Sequence, residues 1–122
     1  APSDMGVYDL VISTITLLQP VIIFQINDGI YRWLLESPEE MYQKGRVFCH
    51  TTVYAGSGIG YHVHQGESET YYILSGHGTF NDNGVMSEIG PGDVLFTGDQ
   101  AGHSIEATKG EDIEMIALIL YK

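Results

Sequence analysis

The chain reads as a succession of short stretches in which apolar and polar side chains alternate, separated by glycine, asparagine and proline. A period of two marks a strand with one buried face. Residues 46–54 alternate in this way, with Phe48, His50 and Thr52 on one face and Val47, Cys49, Thr51 and Val53 on the other. Further strands are predicted at 30–35, 94–96, 104–107 and 113–120. The turns between them have a mechanism. Asn83-Gly84 suits the two positive φ angles of a tight hairpin, and Gly90-Pro91-Gly92-Asp93 and Asn27-Asp28-Gly29 are turn sequences of the usual composition. Ser37 followed by Pro38 predicts one capped helical turn ending near Gly45. Many short strands joined by tight turns predict an all-β sandwich or barrel.

Residues 1–26 break this pattern. From Val11 to Ile26 the chain is strongly apolar and rich in β-branched residues. A membrane-spanning helix needs roughly 20 consecutive apolar residues, and here Ser13, Thr14, Thr16, Gln19 and Pro20 interrupt the run without flanking Lys or Arg. Two additional N-terminal strands broken at Gln19-Pro20 are predicted, with a helix as the alternative. An exposed apolar edge strand invites pairing, so a homodimer through this segment is expected. The chain divides into this segment, 1–26, and a barrel domain, 27–122. Residues 1–4 read as a remnant ahead of a start at Met5, and no basic stretch precedes an apolar one as in a secretory signal.

The candidate chemistry lies between Gly56 and Gly76. His62 and His64 are two residues apart, so in an extended chain both imidazoles point to one side. A turn at Gln65-Gly66 brings Glu69 back over them. Two imidazole nitrogens and a carboxylate oxygen are ligands for a divalent transition metal.

The spacing Gly56, His62, His64, Glu69, Gly76 resembles the first motif of the cupin superfamily, G-x5-H-x-H-x4-E-x6-G, at every fixed position. The second motif, G-x5-P-x-G-x2-H-x3-N, is matched at Gly92 and His103, whereas Gly98, Gln100 and Ala107 stand where the family has Pro, Gly and Asn. The resemblance implies a double-stranded β-helix, the cupin jelly-roll barrel, and a metal site of His62, His64, Glu69 and His103. Residues 39–122 are similar to the small cupins of the oxalate-decarboxylase-like group; the segment before Gln25 is not. His103, opening a strand far along the chain, supplies a third imidazole without crowding the first two. The metal is any of Mn, Fe, Co, Ni, Cu or Zn. Imidazoles bind metal unprotonated, so affinity should fall below a pH of about 6.5.

Other residues near the motif have two readings each. Glu67 is an outer partner of the ligands or a base. Tyr71 shares the parity of Glu69 and Ile73 and faces inward, either filling the core or donating a hydrogen bond to a bound ligand. Phe48, Ile105 and Phe96 are expected to complete an apolar pocket, and His50 is a candidate to line the same cavity. His77, between two glycines, is expected in solvent.

Composition narrows the partners. The formal net charge of −11, with only five Lys plus Arg, disfavours nucleic acid and anionic membranes. One cysteine, Cys49, excludes an intrachain disulfide and fits a cytoplasmic location. The leading expectation is a metalloenzyme acting on a small carboxylate or carbonyl compound; decarboxylation or oxidation of oxalate is what the resemblance implies. The alternatives are a metal-dependent small-ligand binding or sensing protein, and a storage barrel in which the histidines are vestigial.

Overall fold

The computed structural model describes residues 29–34 and 36–122. The predicted N-terminal strands, and the contact between copies expected of them, lie outside the described residues. Within that range the chain forms β1 (Gly29–Leu34), β2 (Gly45–Val53), β3 (Gly58–Val63), β4 (Glu67–Ser75), β5 (Gly78–Asp82), β6 (Val85–Ile89), β7 (Val94–Thr97), β8 (Gly102–Ala107) and β9 (Ile113–Tyr121). All the pairings are antiparallel. One sheet has the order β1-β2-β9-β4-β7 and the other β3-β8-β5-β6. The order of non-consecutive neighbours is that of a double-stranded β-helix, as expected.

The last strand organises the core. β9 lies between β2 and β4, and its Ile113, Met115, Ala117 and Ile119 are buried. Burial of each of the larger ones, Ile113, Met115 and Ile119, contributes about 1.5–3 kcal/mol. The register pairs Met115 with Thr51, Ala117 with Cys49 and Ile119 with Val47, so the inward face of β2 is Val47, Cys49, Thr51 and Val53. The alternation of β2 was legible, but the expectation that Phe48 faces the interior is corrected. Phe48, the bulkiest apolar side chain of β2, shares its face with Arg46, His50 and Thr52, and pairing with the apolar stripe on β9 turns the face of Val47, Cys49, Thr51 and Val53 inward. His50 leaves the interior with Phe48; its Nε2 meets Glu114 Oε1 at 3.0 Å. Phe96 also points outward and is 61% exposed, while its neighbours Leu95 and Thr97 turn inward.

Local chemistry explains the connections. Between β5 and β6, Asn83 and Gly84 take φ of 51° and 100°, the pair of positive angles a two-residue hairpin needs. Ser37 Oγ accepts the Glu40 N–H while Glu40 Oε1 accepts the Ser37 N–H, a reciprocal cap on the single turn at 38–43. In β3 the register against β8 shifts between Ile59 and His62. Ile59 is buried, and strict alternation would have carried Tyr61 and Val63 inward. The extra residue of the bulge exchanges the faces and sends His62 inward instead.

Among the backbones with positive φ, those of Gly76 and Gln100 bear on the frame of the site. Gly76 has φ of 91°, and a Cβ there would collide with the Asp112 carbonyl. Gln100 has φ of 71° and yet carries a full side chain. It stands where the second motif has glycine, and its N–H donates to the His64 carbonyl at 2.7 Å, tying the turn to the site. A left-handed conformation costs a non-glycine residue about 1 kcal/mol. Gln100→Gly should therefore raise the unfolding free energy by about 1 kcal/mol and the thermal midpoint by about 4 °C. Melting curves followed by circular dichroism test this; an unchanged midpoint would mean that the turn stores no strain.

Candidate metal centre

Four side chains from both sheets meet inside the barrel. β3 and the residue after it bring His62 and His64, β8 brings His103, and β4 brings Glu69 across from the facing sheet. One potential ligand atom from each lies within 4.8 Å of the others. His62 and His103 are direct cross-strand partners. The Nε2 atom of His103 lies 3.1 Å from that of His62 and 3.2 Å from that of His64. Glu69 Oε2 is 3.2 Å from His103 Nε2 and 3.9 Å from His64 Nε2. His64, Glu69 and His103 are 3%, 2% and 1% exposed; only His62 is partly open to solvent.

The outer nitrogens of the rings explain why the inner ones converge. His62 Nδ1 lies 2.8 Å from the Gly60 carbonyl, which can only accept, so the ring N–H donates there and Nε2 keeps its lone pair. His64 Nδ1 lies 3.0 Å from Glu67 Oε2 and is fixed in the same way. His103 Nδ1 is 2.7 Å from Thr97 Oγ1, a hydroxyl able to serve either tautomer. The His103 ring is also stacked at 15° and 5.2 Å on Tyr71 and lies edge-on to Phe80 at 5.6 Å. Burial, more than any neighbouring charge, pushes His62 below the usual imidazole range and favours its neutral form. Two hydrogen bonds from Arg46 to Glu67, at 2.8 and 2.7 Å, are the main cause of a Glu67 carboxyl held at about 2 instead of 4.5.

This donor set fits a divalent transition metal ion. Glu69 Oε2 is buried and accepts no hydrogen bond. A buried carboxylate oxygen without a donor is costly, and the groups around it are imidazole nitrogens, of which two present lone pairs. A cation at the point of convergence satisfies all of them at once. The residues that could hold it are His62, His64, Glu69 and His103, with Gly60, Glu67 and Thr97 orienting the rings.

The sequence profile of the cupin domain matches residues 49–119, more than half of the chain. The chain belongs to the cupin family. It is 46% identical over 86 residues to the oxalate-binding protein of Thermotoga maritima, covering 70% of this chain and 71% of that protein. Among solved structures, a protein of Thermotoga maritima described as a predicted oxalate decarboxylase superposes with a TM-score of 0.73 at 37% identity, over 85% of this chain and 100% of the other. The cupin domain of Cnp3 from Schizosaccharomyces pombe has a TM-score of 0.67 at 11% identity, covering 81% and 69%. That likeness speaks to the fold alone.

The structure gathers His62, His64, Glu69 and His103 and puts Glu67 directly behind His64. Tyr71, Ile73 and Ile105 are buried inside the barrel, whereas His50, Phe48 and Phe96 are not part of the site. Cys49 is fully buried, with desolvation pushing its thiol well above the ordinary value. His77 is exposed and meets Glu111 at 2.9 Å. Sequence reasoning missed Thr97, Phe80 and Arg46. Thr97 lies six residues before His103 across a turn, and the expectation that Phe96 faces inward had placed Thr97 on the opposite face.

Two results are expected from this geometry. In protein freed of metal by a chelator, Glu69→Gln should raise the unfolding free energy by about 1–3 kcal/mol, since the amide removes a buried charge and offers donors to the imidazoles. Lower stability of this variant in urea titrations would contradict a destabilising carboxylate. The second concerns pH. Glu67 has a depressed folded value, so its stabilisation is present above about 4.5 and is lost as pH falls towards about 2. The urea midpoint of the wild type should exceed that of Glu67→Gln at pH 6, and the difference should shrink by pH 3. A difference that does not change with pH would contradict the ion pair as its source.

Proposed function

We propose that the chain is a metal-dependent binding protein for a small dicarboxylate of the oxalate type, with His62, His64, Glu69 and His103 holding one divalent transition metal ion. The observation that carries this reading is the buried Glu69 oxygen with no hydrogen bond, set among three imidazole nitrogens. When bound, the ion would supply positive charge, and positions beyond the four protein ligands, for two carboxylate oxygens. That charge matters in a protein of net charge −11, which otherwise repels anions. The similarity to an oxalate-binding protein supports the ligand class.

Binding is favoured over the catalysis expected first from the sequence. Decarboxylation replaces a carboxylate on carbon by a proton, so it needs an acid near the ligand. Glu67 is the acid nearest in sequence to the cluster, and Arg46 keeps it ionised while it accepts from His64. Tyr71 lies flat against His103, which supports a packing role over a catalytic one.

A homodimer and a cytoplasmic location complete the proposal. The outer face of the five-stranded sheet exposes Tyr72, Leu74, Val94 and Phe96, four uncharged side chains on β4 and its edge neighbour β7. An apolar face in so acidic a chain suits contact with a second copy. The single buried cysteine is compatible with a reducing compartment.

Calorimetric titration of oxalate into metal-loaded and metal-free protein tests the binding. Heat of binding is expected only with metal, and His103→Ala should lower metal affinity by about 100-fold or more. Oxalate recovered after incubation should be intact by mass spectrometry. Binding without metal would overturn the reading, and formate or carbon dioxide as product would replace it with the enzymatic one.

A further inference from the structure

Arg46 is joined to one of the four converging side chains, His64, through a single intermediate, Glu67. It lies on β2, and β9 runs between β2 and β4, so its guanidinium reaches past a whole strand to Glu67 at the start of β4. Nε donates to Oε1 at 2.8 Å and a terminal nitrogen donates to Oε2 at 2.7 Å. This two-pronged contact fixes the plane of the carboxylate as well as its position. The same Oε2 faces His64 Nδ1 at 3.0 Å. An ionised carboxylate only accepts hydrogen bonds, so the proton of the neutral ring must lie on Nδ1 and the lone pair on Nε2.

The three histidines differ in how firmly this is imposed. His62 is governed by the backbone carbonyl of Gly60, which no side-chain substitution removes. His103 faces a hydroxyl, which accepts or donates as required. Only His64 depends on an ionisable side chain that is itself held by a second side chain, 21 residues away in sequence.

We propose that Arg46 is a positioning residue of the centre, holding Glu67 so that His64 keeps its proton on Nδ1 and presents its Nε2 lone pair towards Glu69 and His103. The role rests on the metal-binding reading for its consequence but not for its geometry. The ring state of His64 is a property of the metal-free protein as well. Arg46 thereby couples the start of β2, through Glu67, to the affinity of the site. Lysine at this position keeps a positive charge without the fork, so it restores part of the effect and not all of it.

The test has two readouts on the full chain. Nitrogen-15 chemical shifts of the histidine rings report the tautomer in metal-free protein at pH 8. Competition with a chelating dye reports affinity for cobalt(II). Wild type should show His64 as the Nδ1–H form. Arg46→Met should mix the two tautomers and weaken cobalt binding by about 3- to 10-fold; Glu67→Ala should weaken it by about 10- to 100-fold; Arg46→Lys should fall between wild type and Arg46→Met. His62 should keep its tautomer in all of them, which separates a local effect from general unfolding. If Arg46→Met fails to fold, Arg46→Lys carries the comparison. A His64 ring that stays in the Nδ1–H form in the arginine variants, with wild-type cobalt affinity, would overturn the proposal. If wild type binds no cobalt, the proposed function falls, and the tautomer readout still decides the role of Arg46.

Discussion

The arrangement depends on one unfavourable constraint: a carboxylate and three imidazoles are held together where water is largely excluded. Glu69 and His103 are almost completely buried, and Glu69 Oε2 has no hydrogen bond. Side chains choose such company only when the backbone leaves them no other place. Here the backbone is over-determined. β9 locks β2 to β4, the bulge in β3 reverses its faces, and the turn at Gln100 is tied back to His64. The apolar core supplies the free energy that keeps the polar cluster closed.

The surroundings of the cluster are divided by function. On the outer side of the imidazoles, a carbonyl, a hydroxyl and an ionised carboxylate meet the Nδ1 atoms. On the inner side lie the mutually close Nε2 atoms and the Glu69 oxygen. Apolar and aromatic groups, above all Tyr71 and Phe80, fix the His103 ring by stacking and edge contact. Each of these contacts orients an imidazole or packs against one.

Much of this was legible in the residues, for reasons that can be stated. The period-two pattern gave the strand parities, and the Asn-Gly and Pro-Gly pairs located the turns, because both depend only on neighbours in sequence. The spacing of His62, His64 and Glu69 followed from the geometry of an extended chain. Which face of β2 turned inward was misread, since the bulk of Phe48 drew attention from the smaller apolar residues Val47, Cys49 and Val53, and pairing with β9 decides. Phe96 misled because a lone aromatic in a four-residue strand carries no parity reference. The contact between Arg46 and Glu67 depends on strand order across β9, which no local pattern encodes. Gln100 kept a left-handed backbone that glycine would signal, so its turn was hidden by its own side chain.

X-ray absorption spectroscopy of protein loaded with one equivalent of cobalt(II) tests the central claim most directly. The account predicts scattering from three imidazoles together with oxygen ligands, and loss of about one imidazole in His62→Ala. A spectrum dominated by oxygen, unchanged by that substitution, would place the ion on exposed acidic groups and contradict a centre built from His62, His64, Glu69 and His103.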